Sequence, residues 1–191
     1  MSHNNHHENN TLSGEILKHT GVNAARCYQC GKCSAGCPLS ADMDYPPSVI
    51  MHLLQSNREE YDEKVLRSHT IWLCLACEMC YGRCPMEIDI PKVMDFCREK
   101  SFKLKKTNIK AKDIISFHKA FLDSIEKTGR LYEVGLIADY KVRTMHLTQD
   151  VMVAPKMFMN GTLPLVPELI KGRKGIAKIF SKTIKKKEGK K

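Results

Sequence analysis

Apolar side chains in this chain recur mostly at helical intervals. Pro46 and Pro47 stand just ahead of Val49, Ile50, Leu53 and Leu54, which share one face of a helix that starts at the prolines. A second helix is expected over Arg58–Arg67, and the connector around both has no run of alternating β-branched residues. Further on, Ile90, Val93, Met94 and Cys97 fall at i, i+3, i+4 and i+7, with Pro91 near the helix start. That register puts Cys97 on the apolar stripe, where a free thiol behaves as a small hydrophobe. Residues 12–24 predict a short helix. Lys112–Lys127 predicts another, with Ile114, Phe117, Phe121, Leu122 and Ile125 as anchors and Gly129 as its stop. A further helix is expected from Leu131 to about Leu147.

The pattern then breaks. VMVAPKMFMNGTLPLVPELIKGRKG has apolar residues without periodicity and three prolines. It reads either as an extended arm that docks on a partner or as a strap on its own domain. The expected organisation is a disordered tail at 1–11, a main helical domain at 12–110, additional helices at 111–150, and an extended arm with a basic tail at 151–191. The fold class is mainly α. His3, His6 and His7 in the first segment read as part of a polar tail rather than as ligands.

Charge changes this picture only at one end. The 191 residues carry a formal net charge of +10. Ten Lys or Arg against one Glu lie between Lys171 and Lys191, which leaves the rest near neutrality. A nucleic-acid reader carries its positive stripe on the folded body, so the distribution argues against that class. No stretch has the length of apolar residues a membrane span needs, and the N-terminus has no apolar signal core. A cytoplasmic location is therefore expected.

Cysteine supplies the chemistry. Eight of the nine cysteines lie in two runs, CYQCGKCSAGCP at 27–38 and CLACEMCYGRCP at 74–85, both fitting CxxCxxCxxxCP. In a reducing compartment such density points to metal ligation rather than disulfides. An iron–sulfur cubane needs one thiolate at each of four irons, and the short spacers let one looping backbone aim three sulfurs at three corners. In bacterial two-cluster ferredoxins the fourth cysteine of this run serves the other cluster. On that pattern one [4Fe–4S] cluster takes Cys27, Cys30, Cys33 and Cys84, and a second takes Cys74, Cys77, Cys80 and Cys37. Pro38 and Pro85 turn the chain away from each site. Structural zinc, which draws pairs of ligands from two separate knuckles, fits this spacing poorly. A thioredoxin-type CxxC lacks its βαβ setting. Arg26 and Lys32 flank the first run, whereas Trp72, Leu73, Leu75, Met79 and Tyr81 surround the second. That contrast predicts a higher potential for the cluster held mainly by Cys27, Cys30 and Cys33.

Clusters whose irons are all ligated by protein leave no site for substrate and move single electrons. The chain has no GxGxxG fingerprint, no P-loop and no adjacent Cys-Cys pair, so no catalytic residue is expected. The paired runs and helical connector resemble the α-helical ferredoxin domain of succinate dehydrogenase and fumarate reductase iron–sulfur subunits. With IWLCLACEMCYGRCPMEIDIPKVMDFCRE and APKMFMNGTLPLVPELIKGR, the chain from about 12 to 180 is similar to the C subunits of heterodisulfide reductase from methanogenic archaea. The resemblance implies a relay of electrons from a flavin-containing A subunit to a catalytic B subunit that reduces the mixed disulfide of coenzymes M and B. It further implies a nickel–iron hydrogenase or formate dehydrogenase in a larger assembly, in the hydrogen- or ferredoxin-linked form that does not use dihydromethanophenazine. Two alternatives stand beside it. One is an iron–sulfur subunit of another reductase or dehydrogenase, including a related complex of sulfur metabolism. The other is a metal-stabilised nucleic-acid-binding protein gripping phosphates with KTIKKKEGKK.

Overall fold

The computed structural model describes residues 11–146, 157, 159–160, 166–167 and 169–185. Of the tail expected at 1–11 only Thr11 is described, and residues 1–10 with their histidines, most of the 147–168 segment and the last basic residues lie outside these. Among the described residues there is no strand, and the fold is mainly α. The chain divides into two compact units, Met1–Ala111 and Lys112–Lys191.

The first unit contains α1 (Leu12–Thr20), α2 (Lys32–Ala35), α3 (Pro47–Gln55), α4 (Glu59–Leu66), α5 (Thr70–Leu73), α6 (Met79–Gly82) and α7 (Ile90–Lys103), with a 3-10 turn at Ala24–Arg26. Helix α1 starts at Thr11, whose hydroxyl accepts from the Gly14 amide at 3.2 Å, and stops at Gly21 in the left-handed region at φ 74°. Pro47 opens α3 at a position where a missing amide proton costs nothing. Asp89 caps α7 by accepting from the Lys92 amide at 3.1 Å.

These helices bury one continuous core that includes Ile16, Ile50, Met51, Leu54, Val65, Ile71, Val93, Met94 and Cys97. The α7 stripe lies as its spacing predicts, and Cys97 is wholly buried, its thiol pKa pushed up to about 12 by burial. In α3 the buried face is Ile50, Met51, Leu53 and Leu54, while Val49 is exposed. Two clasps tie α1 down: the Leu12 amide donates to Asp62 at 2.8 Å, and Lys100 pairs with Glu15.

The second unit contains α8 (Lys112–Thr128), α9 (Glu133–Thr144) and α10 (Arg173–Phe180), followed by a π-helical turn at Ser181–Lys185. Helix α9 packs on α8 through Phe117 edge-on to Tyr140, and Arg143 bridges Asp123 at 2.6 Å and Asp139 at 2.9 Å. Helix α10 also lies on α8. At the end of α8, a Cβ on Gly129 (φ 87°) would collide with Ile170 and touch Ile176 at 3.7 Å. Within the stretch 151–191, expected as an extended arm and basic tail, Arg173–Phe180 is helical. Ile176, Ile179 and Phe180 recur at i, i+3 and i+4, and a dense background of lysines hid that register in the sequence.

Candidate metal centre

The two cysteine runs fold alike. Each approaches its first cysteine from a short helical turn, Ala24–Arg26 before Cys27 and α5 before Cys74. Each then places two residues in the left-handed region at corresponding positions: Gln29 (φ 63°) and Gly31 (φ 75°) in the first loop, Ala76 (φ 51°) and Glu78 (φ 61°) in the second. Successive amides in such turns point into a concavity that suits an anionic group. A four-residue helix follows in each case, α2 and α6. The Ala35 amide donates to the Gly31 carbonyl at 3.0 Å, matched by Gly82 to Glu78 at 3.0 Å. The Cys37 amide donates to Ser34 at 3.1 Å, matched by Cys84 to Tyr81 at 2.9 Å. Helix α2 packs on α6, so the loops face each other.

That packing decides which sulfurs meet. One open pocket is walled by Cys37, Cys74, Cys77 and Cys80 and floored by Met43, Ile90 and Met94. The fourth cysteine of the first run thus stands with the first three of the second. On the other side, Tyr28 feels the thiols of Cys30, Cys84 and Cys27; desolvation first, then a hydrogen bond with Cys30, raises its hydroxyl pKa. Cys33 lies against Cys27 and is buried, which pushes its thiol pKa up. Burial likewise raises that of Cys74, and it raises that of Cys80 to about 11. Cys30 and Cys77 are exposed.

The donor set fits an iron–sulfur cubane. Among the described residues, no three Cys, His, Asp or Glu side chains converge tightly enough to hold a single metal ion. Cys37, Cys74, Cys77 and Cys80 line one hollow, and a cubane takes one thiolate at each of its four corners. Thiols whose pKa is raised by burial are neutral, and thiolate ligation must displace their protons.

Neighbouring side chains position the loops. Asp44 accepts from the His69 amide at 2.7 Å, the Thr70 amide at 2.9 Å and the Thr70 hydroxyl at 2.7 Å, pinning the start of α5. Partial burial pulls the Asp44 carboxyl up, but these bonds, led by the Thr70 hydroxyl, outweigh it and hold the carboxyl below the usual range. Arg83, an exposed side chain, lies across Gly36 beside Cys37, so a Cβ there would require the guanidinium to move aside. The expected apolar casing of the second run is only partial. Trp72 packs against the core, but Leu75, Met79 and Tyr81 are exposed, at 70%, 45% and 42%. Arg26 and Lys32 lie toward solvent as well. Sequence reasoning missed two loop clamps, Gln55 and Arg98. Gln55 donates to the carbonyls of Ala24 at 3.1 Å and Cys27 at 2.5 Å. Arg98 donates to those of Ile71 at 2.8 Å and Cys74 at 2.9 Å.

Comparison with known proteins agrees with this chemistry. Residues 23–88 match the model of a 4Fe-4S dicluster domain. The iron–sulfur C subunit of CoB–CoM heterodisulfide reductase from Methanopyrus kandleri is 38% identical over 64 residues, covering 34% of this chain and 32% of that protein. The C subunit of ferredoxin:CoB-CoM heterodisulfide reductase from Methanosarcina acetivorans is 43% identical over 60 residues, or 31% of this chain and 23% of its own length. A longer match, 26% identical over 118 residues, joins 62% of this chain to 58% of the C subunit of H(2):CoB-CoM heterodisulfide,ferredoxin reductase from Methanothermobacter marburgensis. The chain therefore spans less than two thirds of the length of these relatives. Residues 23–88 are a 4Fe-4S dicluster domain, and through it the chain is similar to the C subunits of methanogen heterodisulfide reductases.

Proposed function

We propose that the protein is an electron-relay subunit of a CoB–CoM heterodisulfide reductase complex, with no catalytic residue of its own. Cys27, Cys30, Cys33 and Cys84 hold one [4Fe–4S] cluster, and Cys74, Cys77, Cys80 and Cys37 hold a second. Bound clusters supply one-electron transfer and nothing else. The chain's own residues aim the sulfurs, exclude water with Met43, Ile90 and Met94, and keep the two sites side by side. The relay runs between a flavin-bearing A subunit and a disulfide-reducing B subunit, with a hydrogenase or formate dehydrogenase feeding the assembly. The observation that carries this reading is the pocket walled by Cys37 together with Cys74, Cys77 and Cys80.

Anaerobic purification tests it. The protein should be brown, hold roughly eight irons with matching sulfide, and co-purify with the A and B subunits. Cys37→Ser and Cys77→Ser should abolish the same EPR signal, and Cys84→Ser and Cys30→Ser the other. A colourless, iron-poor protein would end the relay reading. A Cys37→Ser spectrum matching that of Cys30→Ser would end the crossed ligation.

A further inference from the structure

The two cysteine loops are near-copies in backbone, yet they are held by different chemistry. Gln55 is the last residue of α3, and Arg98 stands equally far from the start of α7. Each side chain reaches across to the turn ahead of its loop and donates twice. One bond goes to a carbonyl inside the turn, Ala24 or Ile71, and the other to the carbonyl of the loop's first cysteine, Cys27 or Cys74. The Ala24 carbonyl also accepts from the Cys27 amide at 3.1 Å, so there Gln55 adds a second bond to a carbonyl the turn already uses. One clamp is a neutral amide and the other a guanidinium. Among the described contacts this is a matched pair of positions separated by one unit of charge.

We propose that Gln55 and Arg98 are corresponding clamps on the two loops, and that the charge on Arg98 makes the cluster held by Cys74, Cys77 and Cys80 the more readily reduced of the pair. This inference rests on the cluster ligation proposed above and goes beyond it, because ligation alone sets no order between two all-cysteine cubanes. Reduction adds one negative charge to a cluster. A cation fixed nearby, with part of its hydration replaced by carbonyls, stabilises the reduced form more than the oxidised one. Arg98 meets both conditions: its side chain is 26% exposed and is held by two backbone bonds. Its partner Asp95, at 3.0 Å, is 58% exposed, so water screens that carboxylate and it offsets the guanidinium only in part. Arg26 and Lys32, the cations that suggested the opposite order, lie toward solvent and are screened. Gln55 and Arg98 are thus positioning residues that touch the ligand loops rather than the clusters.

The test is a potentiometric EPR titration of the loaded protein, with each signal assigned by its loss in Cys30→Ser or Cys77→Ser. Arg98→Gln, which puts the first loop's clamp on the second, should move the Cys77-dependent signal to more negative potential and leave the other in place. Gln55→Arg should move the Cys30-dependent signal to more positive potential. Arg98→Lys, which keeps the charge and loses the fork, should stay near the wild-type potential even if its iron content falls. Unmoved potentials in a fully loaded Arg98→Gln protein overturn the inference. If Arg98→Gln fails to load, unmoved potentials in Gln55→Arg overturn it instead. Failure of the underlying ligation is a separate result, read as missing iron in the wild type.

Discussion

The two units of this chain are built on different terms. Up to Ala111, short helices of four to fourteen residues close around a continuous core with Ile50, Met51, Leu54 and Ile71 fully buried. Beyond it, helices of up to 17 residues lie on one another, yet among the described residues only Ala120, Leu136 and Thr144 are buried. Phe117, Leu122, Ile137 and Val142 remain exposed on α8 and α9. The first unit places its apolar residues in its own core and in the floor of the cysteine-lined pocket. The second keeps amphipathic faces with exposed apolar residues on its described helices.

The sharpest way to break this contrast is to cut one leucine from each unit. Leu54→Ala should cost about 3 kcal/mol, the usual loss for a fully buried leucine in a core that cannot collapse. In urea, it should lower the midpoint at which the clusters' visible absorbance disappears. Leu136→Ala, in a loosely covered unit, should cost about 2 kcal/mol, the low end for a buried leucine, and leave that midpoint unchanged. Equal effects would mean that the units unfold together and the contrast is only one of appearance.

A smaller effect probes the second unit alone. Gly129→Ala adds a Cβ at positive φ and against Ile170, and should destabilise the packing of α10 on α8 by about 1–2 kcal/mol. Limited proteolysis after Gly129 should speed up while iron content stays the same. Smallest is Asp44→Ala in the first unit, about 1 kcal/mol at pH 7, since its charge-assisted bonds are partly exposed. The folded Asp44 pKa lies below the unfolded value, so its contribution is complete at neutral pH and is lost as pH falls through the folded value. The urea midpoints of wild type and variant should therefore converge below about pH 4.

The sequence made legible whatever depends on local period. Pro47 with its buried face, and Ile90 through Cys97, could be read because a helix buried on one side repeats its apolar residues at helical spacing. The motif sets Cys37 with the second run, and Cys37 does line one pocket with Cys74, Cys77 and Cys80, though ligation itself stays a proposal. The stripe on α8 was read correctly as a helix, but its anchors Phe117 and Leu122 turned out exposed, because spacing reports a face and not what covers it. The left-handed Ala76 and Glu78 left no trace, since nothing marks a non-glycine residue that tertiary context forces to positive φ. Gln55 and Arg98 were equally silent. Their function lies in bonds to carbonyls more than twenty positions away, and any polar residue on a half-buried helix face looks the same in sequence.

The pocket around Cys37 has a consequence for how the domain comes into being. Its wall is shared between residues on either side of the α3–α5 connector, and its floor waits for Ile90 and Met94 on α7. A nascent chain that has emerged only through Pro38 possesses four thiols and no complete hollow. Splitting the gene between the runs would give two fragments, each lacking one corner. On the ligation proposed above, cluster loading would wait for completion of α7, and neither half would work as a separate module.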